Sequence, residues 1–181
     1  MRDTPHVQCR EEPAVHVISL RFLTADSRFA AQAARAIGCR LPAVGEALAV
    51  PAPGGSGMAV LAWRSPNEIY YFVDGAAGSG TLAASCEALD DGYYVDLSGG
   101  IRCLTLHGPR ALEFLSHLSS GALEPAENSS ATMRMADVSV TLIRTREHGT
   151  ALLVDALYAE HLSLWIDEVL RTYEAGGGTA M

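Results

Sequence analysis

Tyr93-Tyr94-Val95-Asp96-Leu97-Ser98-Gly99-Gly100-Ile101-Arg102-Cys103-Leu104-Thr105-Leu106-His107-Gly108-Pro109-Arg110-Ala111-Leu112-Glu113-Phe114-Leu115 is the stretch on which the fold reading turns. Residues 93–97 and 101–107 are rich in aromatic and aliphatic side chains and predict two strands. Asp96 lies where the first strand gives way to a turn, and is expected to accept local backbone amides there. Gly108-Pro109 then opens a helix to about Leu118. Pro109 suits a first helical position because its missing amide would have no partner there.

Upstream, residues 14–23 read as a strand, with Val15, Val17 and Ile18 favouring extended backbone. Asp26 or Ser27 caps a helix to about Ile37, with Phe29, Ala33 and Ile37 on one face and Gly38 as the stop. Residues 42–53 read as loop holding a short strand at 47–50. Residues 58–63 and 69–73 are two strands of a hairpin across Arg64-Ser65-Pro66-Asn67-Glu68. A helix is expected over 80–89, with Leu82, Cys86 and Leu89 on its apolar face, closed by Asp90-Asp91-Gly92.

Downstream, residues 119–131 read as loop. Residues 132–135, 138–144 and 150–154 read as antiparallel strands. Asp155 caps a last helix over 156–173 whose stripe is Tyr158, Leu162, Trp165, Val169 and Tyr173. The order is β-α-β-β-α, β-β-α, β-β-β-α. It predicts an α+β protein of mainly antiparallel sheets covered by helices. The expected organisation is a flexible arm at 1–13, one domain at 14–174 divisible into lobes at about 14–92 and 93–174, and a flexible tail at 175–181.

The chain has 181 residues, 49% hydrophobic and 19% charged, which excludes disorder and suffices for a core without disulfide or metal. All 13 basic residues are arginine. Without lysine there is no Walker phosphate loop, no Schiff base, no pyridoxal-phosphate anchor and no lysine general base. The net charge of −8 argues against a nucleic-acid partner. Cys9, Cys39, Cys86 and Cys103 form no CxxC pair and no zinc spacing. Neither a signal peptide nor a membrane span is read, so a reduced, cytoplasmic protein is expected.

Few residues invite chemistry. Gly75-Ala76-Ala77-Gly78-Ser79-Gly80 could hold an anion on backbone amides, but its glycine spacing is wrong for a dinucleotide site. Cys103 and His107 share a strand face but stand about 13 Å apart, too far for a nucleophile and its base. The histidines are scattered, and His161 with its neighbour Glu160 makes no helical pair. Asp137 breaks an extended stretch just before an apolar run. It could be a general base or an amine anchor, and the simpler reading is a turn aspartate between strands. Trp63 and Trp165 read as partly buried core, with an interface role as the other possibility. No catalytic, cofactor-binding or metal-binding residue is assigned.

Three segments carry a family resemblance. The aspartate–x–serine, strand and Gly-Pro-x-Ala helix of residues 93–115 resemble the aminomethyltransferase-like fold. That fold is shared by the glycine cleavage T-protein, the tRNA-modifying GTPase N-domain and sarcosine oxidase subunits. Leu61-Ala62-Trp63-Arg64-Ser65-Pro66-Asn67-Glu68 resembles a hairpin of the gamma subunit of heterotetrameric sarcosine oxidase. Tyr158-Ala159-Glu160-His161-Leu162-Ser163-Leu164-Trp165-Ile166 is similar to that subunit's last helix. The resemblance spans about residues 15–174. The chain departs from the gamma pattern at Gly121-Ala122-Leu123-Glu124-Pro125 and at Glu127-Asn128-Ser129-Ser130.

The resemblance implies a non-catalytic gamma-type subunit that assembles with alpha, beta and delta subunits. The partner subunits would carry FAD, FMN and NAD and bind tetrahydrofolate. The complex would demethylate sarcosine oxidatively, passing the methyl carbon to tetrahydrofolate and releasing peroxide. The charge and the short apolar runs already argue against nucleic acid and membrane as partners. The alternatives are a free-standing folate binder or aminomethyltransferase-like protein, in which Asp137 falls near the catalytic aspartate of the T-protein, and a scaffold module with no oxidase.

Overall fold

A computed structural model of the chain describes residues 7–12, 15–52, 57–74, 82, 86, 89–118, 125–146 and 149–175. Among them are ten strands: β1 (Gln8–Glu11), β2 (Val15–Phe22), β3 (Ala47–Pro51), β4 (Met58–Ser65), β5 (Glu68–Asp74), β6 (Gly92–Asp96), β7 (Ile101–His107), β8 (Ser129–Met135), β9 (Val138–Thr145) and β10 (Gly149–Asp155). Three helices accompany them: α1 (Arg28–Ile37), α2 (Ala111–His117) and α3 (Ala156–Ala175).

The strands form two five-stranded sheets, ordered β3-β4-β5-β2-β6 and β1-β7-β10-β9-β8. Every registered pairing is antiparallel. Val17, Ala47, Val60, Ala62, Tyr70 and Phe72 of the first sheet pack on Cys103, Ile143, Ala151 and Leu153 of the second. The outer face of the first sheet is covered by Phe29, Ala30, Ala33 and Ile37 of α1. The outer face of the second is covered by Phe114 and Leu115 of α2 and Ala159, Leu162 and Ile166 of α3. The layers thus run helix, sheet, sheet, helix. Central strands are apolar on both faces: Val60 and Ala62 of β4 point inward, Ala59 and Leu61 outward. Such strands read as continuous hydrophobic runs rather than alternations.

The predicted α+β architecture is the observed one. Ser27 caps α1 by accepting the Ala30 amide at 3.1 Å, and Gly38 ends the helix in the left-handed region at φ 82°. Asp155 accepts the Leu157 amide at 2.9 Å at the start of α3.

Four expectations differ. Gln8–Glu11 lies in the expected arm yet forms an edge strand on β7. Val7 is buried and Cys9 packs against the core under α3, which fixes the segment. β8 begins at Ser129 rather than 132, because Ser130 is drawn into hydrogen bonds with Gly45 and Trp63. Pro109 sits in a turn closed by Ala111 N–H to the Gly108 carbonyl, two residues before α2. The buried line of α3 is Ala159, Leu162, Ile166 and Tyr173, and Tyr158 is exposed. α3 follows β10 with no loop, so its first turn lies close to the sheet, where alanine fits and tyrosine does not. The expected helix at 80–89 falls mostly outside the described residues. Leu82 and Cys86 are buried there, and Leu89 packs against the same cluster.

The chain passes between sheets twice, from β1 to β2 and again at residues 97–100. β6 belongs to the first sheet and β7 to the second. The Asp96 carboxylate accepts the Ser98 amide at 2.9 Å and the Ser98 hydroxyl at 2.5 Å. These bonds hold the carboxyl below the usual aspartate range. Ser98 Oγ accepts the Val17 amide at 3.2 Å, and Leu97 N–H donates to the Val17 carbonyl at 2.8 Å. On the other side the Gly100 carbonyl accepts the Ala156 amide of α3 at 2.8 Å.

Asp91 and Gly92 fix α1 against β2 and β6. Asp91 accepts the Arg28 amide at 2.7 Å and the Phe29 amide at 3.2 Å, capping a helix remote in sequence. A Cβ on Gly92 would lie 2.7 Å from the Arg21 carbonyl and 2.7 Å from Phe29. Gly99 has open space around it. Gly92→Ala is therefore expected to cost about 1–3 kcal/mol through overpacking, and Gly99→Ala less than about 0.5 kcal/mol. Thermal unfolding of the two variants checks this, at about 2–4 °C per kcal/mol for a chain of this size.

Candidate interaction surfaces

The residues singled out for chemistry are occupied by the fold. Ala136 and Asp137, at φ 48° and 63°, form the two-residue turn between β8 and β9. Two consecutive left-handed residues match the twist of a hairpin, and aspartate tolerates that region. The Asp137 side chain is fully exposed, with Arg134 3.6 Å away and donating to the Asp137 carbonyl at 2.6 Å. The turn reading of Asp137 is the one the geometry supports.

Cys103 lies in the layer between the sheets, while His107 is exposed at the strand end. Thr105 stands between them on the same face. Its hydroxyl donates to Glu12 at 2.6 Å and lies 2.8 Å from His107 Nε2. The remaining thiols are packed. Burial, with Asp167 nearby, pushes Cys9 up to about 11, and burial raises Cys39 and Cys86. The thiolate is the reactive form, so these cysteines are poor nucleophiles. Among the described residues no group of three or more His, Cys, Asp or Glu could hold a metal. Nor is any described helix long and apolar enough to cross a membrane. The glycine run at 75–80 lies outside the described residues.

Surfaces, not clusters, stand out. A groove of about 590 Å³ runs between α1, the 40–44 loop and the β4–β5 hairpin. Phe22 and Ile69 are among its lining residues, Ala30 and Ala34 its α1 wall, and Trp63 and exposed Val44 lie at its edge. Alanines make the groove, because they leave the space that larger side chains would fill. A shallower hollow of about 340 Å³ adjoins it, with exposed Leu23 and Tyr93. Three ion pairs lie around them: Arg21 with Glu68, Arg28 with Asp91, and Arg40 with Glu46. A second exposed apolar surface lies on α3, at Leu157, Tyr158 and Leu164. Trp63 and Trp165 are both half-buried.

One end of the first groove also joins the sheets. Ala47 N–H donates to Asn128 at 2.9 Å, Ser130 N–H to Gly45 at 2.9 Å, and Trp63 N–H to Glu46 at 3.0 Å. The Ser130 hydroxyl donates to the Trp63 carbonyl at 2.7 Å, and Arg64 to Thr132 at 2.9 Å. Glu46 anchors this seam, accepting from Arg40 at 2.5 and 2.6 Å and from the Ala43 amide at 2.7 Å. These bonds, the Arg40 guanidinium first, lower its carboxyl to about 2. Sequence reasoning missed Glu46, Asp91 and Ser130, whose partners are fixed only by the tertiary arrangement.

Two helix-covered antiparallel sheets joined by an Asp-x-Ser crossover define an α+β protein of the aminomethyltransferase-like fold. The structure of glycine cleavage system aminomethyltransferase T from Bartonella henselae superposes with a TM-score of 0.66 at 14% identity, over 91% of this chain and 45% of that one. That likeness is of fold alone. Narrower matches exist. The family model described as "Sarcosine oxidase, gamma subunit family" matches residues 21–171. Sarcosine oxidase subunit gamma of Corynebacterium sp. (strain U-96) is 31% identical over 173 residues, 93% of this chain and 82% of that protein. The same subunit of strain P-1 is 30% identical over 172 residues. A chain of the heterotetrameric sarcosine oxidase from Corynebacterium sp. U-96, in complex with pyrrole 2-carboxylate, superposes with a TM-score of 0.78 at 27% identity, covering 98% of this chain and 89% of that one. The chain belongs to the sarcosine oxidase gamma subunit family.

Glu46 yields a pH test. Its carboxyl titrates lower when folded, so its contribution to stability is complete above the unfolded value near 4.5 and is lost as pH falls from there toward 2. Glu46→Gln should flatten the acid limb of a stability-against-pH curve between about 4.5 and 2. Urea unfolding at a series of pH values reads the slope; an unchanged limb would mean that Glu46 does not hold the seam.

Proposed function

We propose that this chain is the gamma-type subunit of a multi-subunit, flavin-dependent sarcosine oxidase, with an assembly role and no catalytic or cofactor-binding residue of its own. One observation carries the reading: the match to the heterotetrameric oxidase spans almost the whole of both chains. Its partners are the alpha, beta and delta subunits of that oxidase, which carry FAD, FMN and NAD and bind tetrahydrofolate. The assembly works in the cytoplasm. Within it the chain forms a single domain, with lobes built around its two sheets.

A folate-binding role for Asp137 does not fit its position. The carboxylate stands fully exposed on a hairpin tip and lines none of the grooves described above. No reaction step is routed through it. The exposed apolar surfaces favour a subunit over a free-standing protein, since contiguous apolar surface marks protein interfaces.

Co-expression with the other subunits of the same oxidase tests the reading. The chain should co-purify in stoichiometric amount with a tagged partner, and the complex should consume sarcosine with release of peroxide. Alone, it should show neither flavin absorbance nor turnover. A well-behaved monomer that no tagged subunit retains would overturn the proposal.

A further inference from the structure

We propose that the outward face of α3 is the surface by which this chain docks on a basic, partly apolar surface of another subunit. This rests on the reading above and names the contact it requires. The helix packs Ala159, Leu162, Ile166 and Tyr173 inward. Leu157, His161 and Leu164 fall at i, i+4 and i+7, a single outward line. Leu157 is 85% exposed, Leu164 62% and Tyr158 52%. Half-buried Trp165 borders Tyr158 on the same side and packs on the core beneath. A helix already anchored on one face has no need of leucines on the other, so the fold itself does not explain them. Large aromatic and aliphatic side chains at the centre of a patch are what anchors an interface.

The charges name the occupant. α3 carries Glu160, Asp167, Glu168 and Glu174 against Arg171 alone. Glu168 pairs with Arg171 at 2.7 Å, whereas Glu160 and Asp167 make no ion pair among the described residues. At the adjoining β8–β9 turn Arg134 is spent on Asp137, and His161 Nε2 lies 3.2 Å from the Ala136 carbonyl. The leucines are therefore flanked by carboxylates that make no ion pair among the described residues. A second copy, with the same face and a net charge of −8, would oppose carboxylate to carboxylate. A partner offering arginine or lysine beside an apolar strip satisfies both features. The groove along α1 differs in this respect, because its bordering charges are already paired.

The test is assembly with the remaining subunits of the same oxidase, co-expressed, with one of them tagged. Leu164→Asp should reduce recovery at least tenfold, and the double variant E160R/D167R should weaken it comparably at low salt. Raising salt from about 50 to 500 mM should weaken the wild-type complex more than that of E160R/D167R, since screening acts on the ion pairs. Val44→Asp, in the α1 groove, should assemble normally. The melting temperature of each isolated variant should match wild type, because Val44, Glu160, Leu164 and Asp167 are all exposed, so a loss of recovery reads docking and not folding. Recovery of Leu164→Asp at the wild-type level, or loss with Val44→Asp alone, overturns the α3 surface while leaving the subunit reading intact. A wild-type dimer in light scattering that Leu164→Asp converts to monomer assigns the face to self-association and overturns it equally. If the wild-type chain is not retained, both proposals fall.

Discussion

The crossing from β6 to β7 is held by a single carboxylate. At residues 97–100 the chain leaves the first sheet for the second, and the Asp96 carboxylate holds that turn through the Ser98 amide and hydroxyl. The same serine is tied to β2, and Gly100 is tied to the start of α3. The crossover therefore sets the relative position of three elements that are far apart in sequence. Everything outside follows: once the sheets face each other, each has one remaining apolar face, and the helices cover both.

The second junction, at Glu46, Trp63 and Ser130, works by a different economy. There the start of β3 meets the start of β8 through two backbone bonds, and β4 meets β8 through the Ser130 and Thr132 hydroxyls. What the molecule does offer to partners is apolar side-chain surface, at the α1 groove and along α3. The polar residues that attract a chemical reading, Asp96 and Asp137, serve turns. Burial raises three cysteines above the ordinary thiol range.

Much of the architecture was legible from local chemistry. Ser27 and Gly38 bound α1 because a side-chain acceptor and a left-handed glycine satisfy helix ends wherever they occur. Asp155 starts α3 for the same reason. The β4–β5 hairpin follows from turn residues flanked by apolar runs. The Asp137 turn was readable too, since two residues between strands demand left-handed backbone. The family resemblance rests on residues 61–68, 93–115 and 158–166, and the comparisons bear it out over nearly the whole chain. The rotation of α3 was not legible. Tyr158 and Trp165 suggested an aromatic stripe, but the abrupt passage from β10 brings Ala159 and Ile166 against the sheet instead.

The sequence by itself determined the kinds of element, their ends and their order, because caps, turns and apolar runs act over a few residues. It also determined the family. Only the tertiary structure decided which strands share a sheet, why Gln8–Glu11 is ordered, and which remote residues complete a cap or a seam, such as Asp91 for α1 and Ser130 for Trp63. The physical reason is that central strands here are buried on both faces. Their apolar runs carry no alternation to say which side meets the other sheet and which meets a helix. That choice is made by packing between segments tens of residues apart, and with it the choice of which leucines remain in water.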